Sequence, residues 1–103
     1  MGNNSQVNNF EISGKALHVG QPEQYTNRNG QTKASRILVL EVFSGTYSNE
    51  VVFEFAENNM NQLLQSKDGD WLTVNFCLKG NKTIKDGKAK WWPRLEGLTV
   101  LRG

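Results

Sequence analysis

No run of apolar residues in this chain approaches the roughly 18 that a membrane-spanning helix needs, so no helical membrane anchor is expected. Residues 1–6 are polar, with neither the apolar stretch of a secretory signal nor the hydroxyl at position 6 that myristoylation requires. A single cysteine, Cys77, excludes an internal disulfide, and with a single histidine, His18, it excludes a zinc site of Cys/His spacing. There is no Gly-rich phosphate loop closed by Lys-Ser/Thr and no spaced carboxylate set suited to a metal-dependent nuclease. No catalytic motif joins His18 to Cys77, and each reads more simply as structural. These absences lead to the expectation of a non-enzymatic protein of a reducing, cytoplasmic compartment, without metal or other cofactor.

What is present fits one domain. The 103 residues hold 37% hydrophobic and 21% charged side chains, too balanced for wholesale disorder and enough for one modest core. Residues 1–8 are expected to form a flexible leader and residues 9–103 the domain. The net charge of +2 carries no argument for nucleic acid, but its distribution does. Residues 79–94 hold six basic side chains (Lys79, Lys82, Lys85, Lys88, Lys90, Arg94) against Asp86 alone, a local +5. Residues 51–78 set Lys67 against Glu54, Glu57, Asp68 and Asp70, a local −3.

Periodicity gives mostly strands. Residues 10–20 alternate imperfectly around Gly14, which predicts a long first strand with a bend or bulge. Residues 21–30 are polar, with Pro22 and the Asn29-Gly30 pair, and predict a hairpin loop that exposes Tyr25 and Arg28. Residues 36–43 are apolar in both phases, so this second strand is expected to be covered on both faces, one of them by something outside the core. A turn over 44–49 leads to a third strand over 50–55, with Phe53 in the core. Met60, Leu63 and Leu64 then change the period to that of a short helix, and Gly69 suits a left-handed position beyond its end. Residues 70–79 alternate cleanly, placing Leu72, Val74, Phe76 and Leu78 inward and Trp71 outward. Asp86-Gly87 marks a hairpin, and a last strand runs from about residue 91 to 101. Three strands, a short helix and two strands, without repeats or low-complexity tracts, match an all-β OB-fold: a five-stranded Greek-key barrel with the helix between strands three and four.

Single strands of nucleic acid are gripped by cations along the phosphates and by rings on which bases stack, each stack worth roughly 1–3 kcal/mol. Lys82, Lys85, Lys88 and Lys90 lead directly into Trp91, Trp92, Pro93 and Arg94, which sets both ingredients side by side. Adjacent residues of a strand face opposite ways. If Leu95 points inward, so do Trp91 and Pro93, while Trp92 and Arg94 point out. Core packing of one tryptophan is the plainer alternative, as a solvated surface is for the lysines. Trp71 is either a ligand platform or part of an interface between subunits.

In its first hairpin the sequence resembles the single-stranded DNA-binding protein family, through Gly14, Gly20, Pro22, Tyr25-Thr26, Asn29-Gly30-Gln31 and Ala34, and again at Gly69 and from Val74 to Gly80. The resemblance implies single-stranded DNA as ligand, a homo-oligomeric state (dimer or tetramer), and binding roles for Tyr25, Arg28, Lys33, Tyr47, Phe55, Lys82, Lys88 and Trp91. Arg36, Trp71, Lys79, Lys85, Lys90, Trp92 and Arg94 complete the candidate set. Bacterial members usually carry an acidic C-terminal tail that recruits replication proteins, whereas this sequence reads Leu101-Arg102-Gly103. The expectation is therefore of a phage, plasmid or primosomal type of member, or a trimmed chain.

The leading functional expectation is a coat for single-stranded DNA with little sequence preference, serving replication, repair or recombination. RNA is an alternative ligand. A protein-binding OB-fold adaptor, of primosome type for example, is the alternative class, favoured by the doubly apolar second strand and by Trp71.

Overall fold

The computed structural model describes residues 8–103; the expected leader lies outside the described residues except for Asn8. Strand β1 (Phe10–Val19) pairs antiparallel with β5 (Trp71–Lys85) on one side and with β3 (Thr32–Ser44) on the other. β3 continues antiparallel to β4 (Tyr47–Ala56), β4 meets β6 (Lys88–Arg102) in parallel at Glu54 and Glu96, and β6 returns antiparallel to β5. The ring β1-β5-β6-β4-β3 closes through the β1–β3 pairing, giving the expected five-stranded barrel. Closure leaves few strand edges unpaired, and the side chain of Asn8 occupies one, donating to the Leu78 carbonyl (2.8 Å) and accepting from its amide (3.1 Å).

Of the residues predicted inward, Phe53, Leu72 and Val74 lie in the core, Phe76 packs against it, and Leu78 is exposed because β5 has by then left the barrel. Leu38, Leu40, Phe53, Phe55, Leu72 and Val74 are fully buried together with Ala16, and Phe53 meets the Phe76 ring edge-on at 5.1 Å. Residues 57–63 form a 3₁₀ helix (Glu57–Leu63) between β4 and β5, at the position expected for a helix. Its tighter winding aligns residues three apart. Leu63 thus enters the core, whereas Leu64, expected on the same face, is exposed. Gly69 has the positive φ (97°) expected beyond that helix.

Three local expectations are corrected. The loop predicted over 21–30 contains a four-residue strand of its own, β2 (Glu23–Thr26), paired with β3 as a hairpin outside the ring. The turn expected over 44–49 shrinks to Gly45 and Thr46, because Ser44 already pairs with Tyr47. The bulge in β1 lies between Ala16 and His18 rather than at Gly14.

Two hairpins leave the same end of the barrel. β4 and β6 are parallel at Glu54/Glu96, and both begin at hairpin tips, seven and eight residues upstream. The β5–β6 ribbon stays paired from Leu78/Leu95 to Lys85/Lys88, about 24 Å at 3.4 Å per residue. Its turn, Asp86 (φ 54°) and Gly87 (φ 77°), has the mirror-image geometry that matches strand twist. The projecting arms enlarge the molecule, whose radius of gyration of 15.5 Å exceeds the roughly 13 Å of a compact chain of this length.

Candidate nucleic-acid interface

The ribbon register assigns every basic-segment side chain to a face, since directly paired residues project to the same side. One face continues the inner surface of the barrel and carries Leu78, Lys82, Ile84, Ala89, Trp91 and Pro93. The other continues the outer surface and carries Lys79, Lys85, Lys88, Lys90, Trp92 and Arg94. Trp91 and Trp92 therefore face opposite ways, with the phase expected from Leu95. Neither is in the core: Trp91 is 68% and Trp92 47% exposed, because the ribbon has already left the barrel. Core packing of one of the pair, the plainer sequence reading, does not occur.

The outer face carries five cations along its length and one indole among them. Lys90 Nζ lies 4.5 Å from the Trp92 ring centroid, and the indole N–H donates to Thr83 Oγ1 at 3.1 Å. Lys79 reaches Glu96 at 3.5 Å and Arg94 reaches Glu54 at 3.4 Å. On the inner face Lys82 Nζ lies 5.5 Å from the Trp91 centroid, with Ile84 and Leu78 exposed beside them.

The outer surface of β3 and β4 adjoins the cationic ribbon face through the Arg94–Glu54 bridge. Ile37, Val39 and Val52 take its centre, Val52 being half exposed, which accounts for the second apolar phase of residues 36–43. A cleft of about 440 Å³ opens where β4 and β6 part, lined by Val51, Val52, Pro93, Arg94 and Leu95 with Glu50 and Glu54. At the far end of β3, Tyr25 pairs with Lys33, and both line a recess of about 270 Å³ with Ala34, Ala56 and Glu57. Arg28 sits in the turn of the β2–β3 hairpin, which Asn27 organises by accepting from the Asn29 and Gln31 amides.

Six of the expected residues lie elsewhere, Lys82 and Trp91 being those already placed on the inner face of the ribbon. Phe55 is fully buried, its ring packed where a Cβ at Gly97 would stand, so it is a core residue and cannot stack a base. Arg36 takes the inward phase beside Phe55, is part-buried, and donates its Nε to the Gly20 carbonyl at 2.6 Å, a structural tie rather than a free cation. Tyr47 is at the tip of the other arm, 77% exposed, in the phase of Phe53 and not of the outer surface. Trp71 is exposed at the start of β5, the opposite end from the ribbon, beside Asp70 and Arg102. Ile37, Val39 and Val52 were absent from the expected binding set, although the double apolar phase of residues 36–43 had already called for a cover on one face from outside the core.

The family model described as a domain of unknown function (DUF3127) matches residues 11–100. The chain belongs to the DUF3127 family. No curated protein matches this DUF3127 chain. Its fold is that of single-stranded DNA-binding proteins. The mitochondrial single-stranded DNA-binding protein Rim1 of S. cerevisiae superposes with a TM-score of 0.65 at 13% identity, covering 91% of this chain and 92% of that one. The small single-stranded DNA-binding protein of Streptomyces coelicolor gives 0.53 at 13% identity, over 92% and 93% of the two chains. The Plasmodium falciparum protein SSB, solved in complex with single-stranded DNA, gives 0.53 at 15% identity over 91% and 88%.

Proposed function

We propose that this DUF3127 chain binds single-stranded DNA, with little sequence preference, across the outer surface of β3 and β4 and onto the outer face of the β5–β6 ribbon. The observation that carries this reading is the alignment of Lys79, Lys85, Lys88, Lys90 and Arg94 with Trp92 on one ribbon face. Phosphates pair with the cations and a base stacks on the indole, neither of which reads base identity. Tyr25 and Lys33 supply a second ring and cation beyond the far end of the apolar strip, with Arg28 at the tip of their hairpin. OB-folds hold oligonucleotides on this surface between the corresponding loops, and the structural neighbours are themselves single-stranded DNA-binding proteins. Replication, repair or recombination is the setting in which such a coat acts.

The test is a titration of tryptophan fluorescence with oligo-dT, its RNA counterpart and duplex DNA at two salt concentrations. Quenching by oligo-dT that weakens with salt, and stronger binding than to duplex, is the expected result. Absence of salt-sensitive quenching would overturn the reading, and tighter binding of RNA would reassign the ligand.

A further inference from the structure

The recess beside the β2–β3 hairpin opens on the outer surface of the barrel. Tyr25 stands directly opposite Lys33 in the hairpin, and directly paired residues project to the same side. By the alternation of β3, Lys33 shares the phase of Ser35, whose partner Ala56 ends β4, and of Ile37, where the apolar strip begins. The aromatic ring, the ammonium and the alanine therefore belong to one face, and Glu57, the next residue, closes the recess. Its volume, about 270 Å³, lies just below the roughly 300–1,000 Å³ of pockets that enclose small molecules whole. That suits one planar base with its sugar left outside.

The charges of the recess are opposite and unpaired. Lys33 and Glu57 both line it, yet among the described residues neither takes part in an ion pair, with the other or with a third group. Lys33 is half-buried beside the half-exposed ring of Tyr25. Ala34 and Ala56 contribute only methyl groups to the lining, so no bulk fills the space between the charges. A ring to stack on, with a cationic donor and an anionic acceptor held apart, makes a receptor for a flat ligand. Such a ligand carries donors on one edge and acceptors on the next.

We infer that this recess reads a base and that the base is guanine, an inference that rests on the proposal that the outer surface carries a DNA strand. Stacked on Tyr25, guanine gives two adjacent donors, N1–H and N2–H, to the two oxygens of Glu57 and turns O6 and N7 to the Lys33 ammonium. Lysine is a regular partner of those two acceptors, and a bidentate pair with a base edge discriminates by roughly 5- to 150-fold. Thymine flanks its single N–H with two carbonyl oxygens, which the carboxylate repels. Adenine and cytosine offer Glu57 one amino group with an acceptor nitrogen beside it, one bond in place of two. The ribbon face reads no base identity, and the recess is where preference enters the surface.

The experiment compares, by fluorescence anisotropy, labelled oligo-dT with the same oligomer carrying a single dG. The dG oligomer is expected to bind at least about fivefold more tightly. Replacing that dG by deoxyinosine, which lacks only the N2 amino group, removes most of the advantage. Glu57→Gln, which turns one acceptor into a donor, does the same. Circular dichroism establishes that this variant is folded, and the inosine comparison uses the unaltered chain and so is free of any effect on folding. Binding of oligo-dT with no gain from dG, an inosine oligomer as tight as the dG one, or a dG preference that survives in folded Glu57→Gln would each overturn the inference and leave the strand reading in place. Salt-sensitive binding by none of the oligomers would instead overturn the strand reading, and this inference with it.

Discussion

Lys90 and Trp92, two residues apart on β6, form a preassembled unit: the ammonium stands 4.5 Å from the ring centroid while Thr83 holds the indole N–H at 3.1 Å. The ring is oriented before a ligand arrives, which lowers the ordering cost of stacking. Trp92→Ala is expected to weaken oligo-dT binding by about 1–3 kcal/mol, roughly 5- to 150-fold. Because the ring packs against no core residue, the melting temperature should stay close to that of the parent. Trp92→Phe should retain much of the affinity. Fluorescence anisotropy of labelled oligo-dT provides the measurement, and unchanged affinity in Trp92→Ala would place the stacking elsewhere.

The outer-face lysines make a different signature, in salt dependence rather than in stacking. Each phosphate neutralised on a single strand contributes about −0.7 to the slope of log K against log salt. Lys88→Ala and Lys90→Ala are each expected to flatten that slope by about 0.7. Lys15, on β1 and away from the ribbon, is the control and should leave it unaltered when changed to Ala. Slopes equal in all variants would remove the ribbon from the phosphate path.

Glu54 opposes the strand twice, by engaging Arg94 at 3.4 Å and by placing a negative charge beside the path of the phosphates. Glu54→Gln removes both effects and is expected to tighten oligo-dT binding severalfold while steepening the salt slope. The bridge is about 40% exposed at each partner (42% and 41%), so its loss should cost less than about 1 kcal/mol of stability. Weaker binding by Glu54→Gln would show that the carboxylate supports the site instead of competing at it.

The barrel was legible because burial on one face leaves a period of two in the sequence. Leu72, Val74 and Phe76 alternate without interruption, and the strand begins where that alternation does, although it runs six residues past the expected end, to Lys85. The site was legible in part, since clustering of cations beside tryptophans is a local signal that needs no tertiary information. What failed was the distinction between inward and surface rings near strand ends. Phe55 lies one residue from the end of β4, yet its burial is set by Gly97 on β6, 42 positions away, where the missing side chain admits the ring. No local pattern encodes that vacancy. Likewise Arg36 looks like a surface cation until the chain brings the Gly20 carbonyl to its Nε.

The contact between Phe55 and Gly97 gives a prediction that separates core from site. A Cβ at Gly97 would overlap the Phe55 ring, and the neighbours have little room to yield. Gly97→Ala is expected to destabilise the barrel by about 1–3 kcal/mol, lowering the melting temperature by several degrees. Phe55→Ala should cost about 3–5 kcal/mol. Phe55→Leu, which keeps an apolar side chain there, should lower stability and leave the affinity of the folded protein for oligo-dT unchanged. Loss of affinity at full folding would return Phe55 to the binding surface.

Gly87 controls the ribbon without touching the barrel. Its φ of 77° is the left-handed conformation, and a Cβ built there meets nothing within 4 Å, so substitution is penalised by backbone conformation alone. A non-glycine residue in that conformation costs about 1–2 kcal/mol, and a β-branched one is disfavoured further. Gly87→Val is therefore expected to loosen the turn, speeding hydrogen exchange of the Thr83–Lys90 and Lys85–Lys88 amides by roughly 5- to 30-fold. Asn tolerates positive φ, so Gly87→Asn should stay near the parent. Exchange at core amides such as Leu40 and Val74 should change little in either variant, since the turn lies about 24 Å beyond the barrel end. Strand affinity should fall in Gly87→Val, because the register that sets Lys90 over Trp92 and Trp92 beside Thr83 is held by this turn. Equal exchange in the valine and asparagine variants would show that the register is fixed from the barrel side and not from the tip.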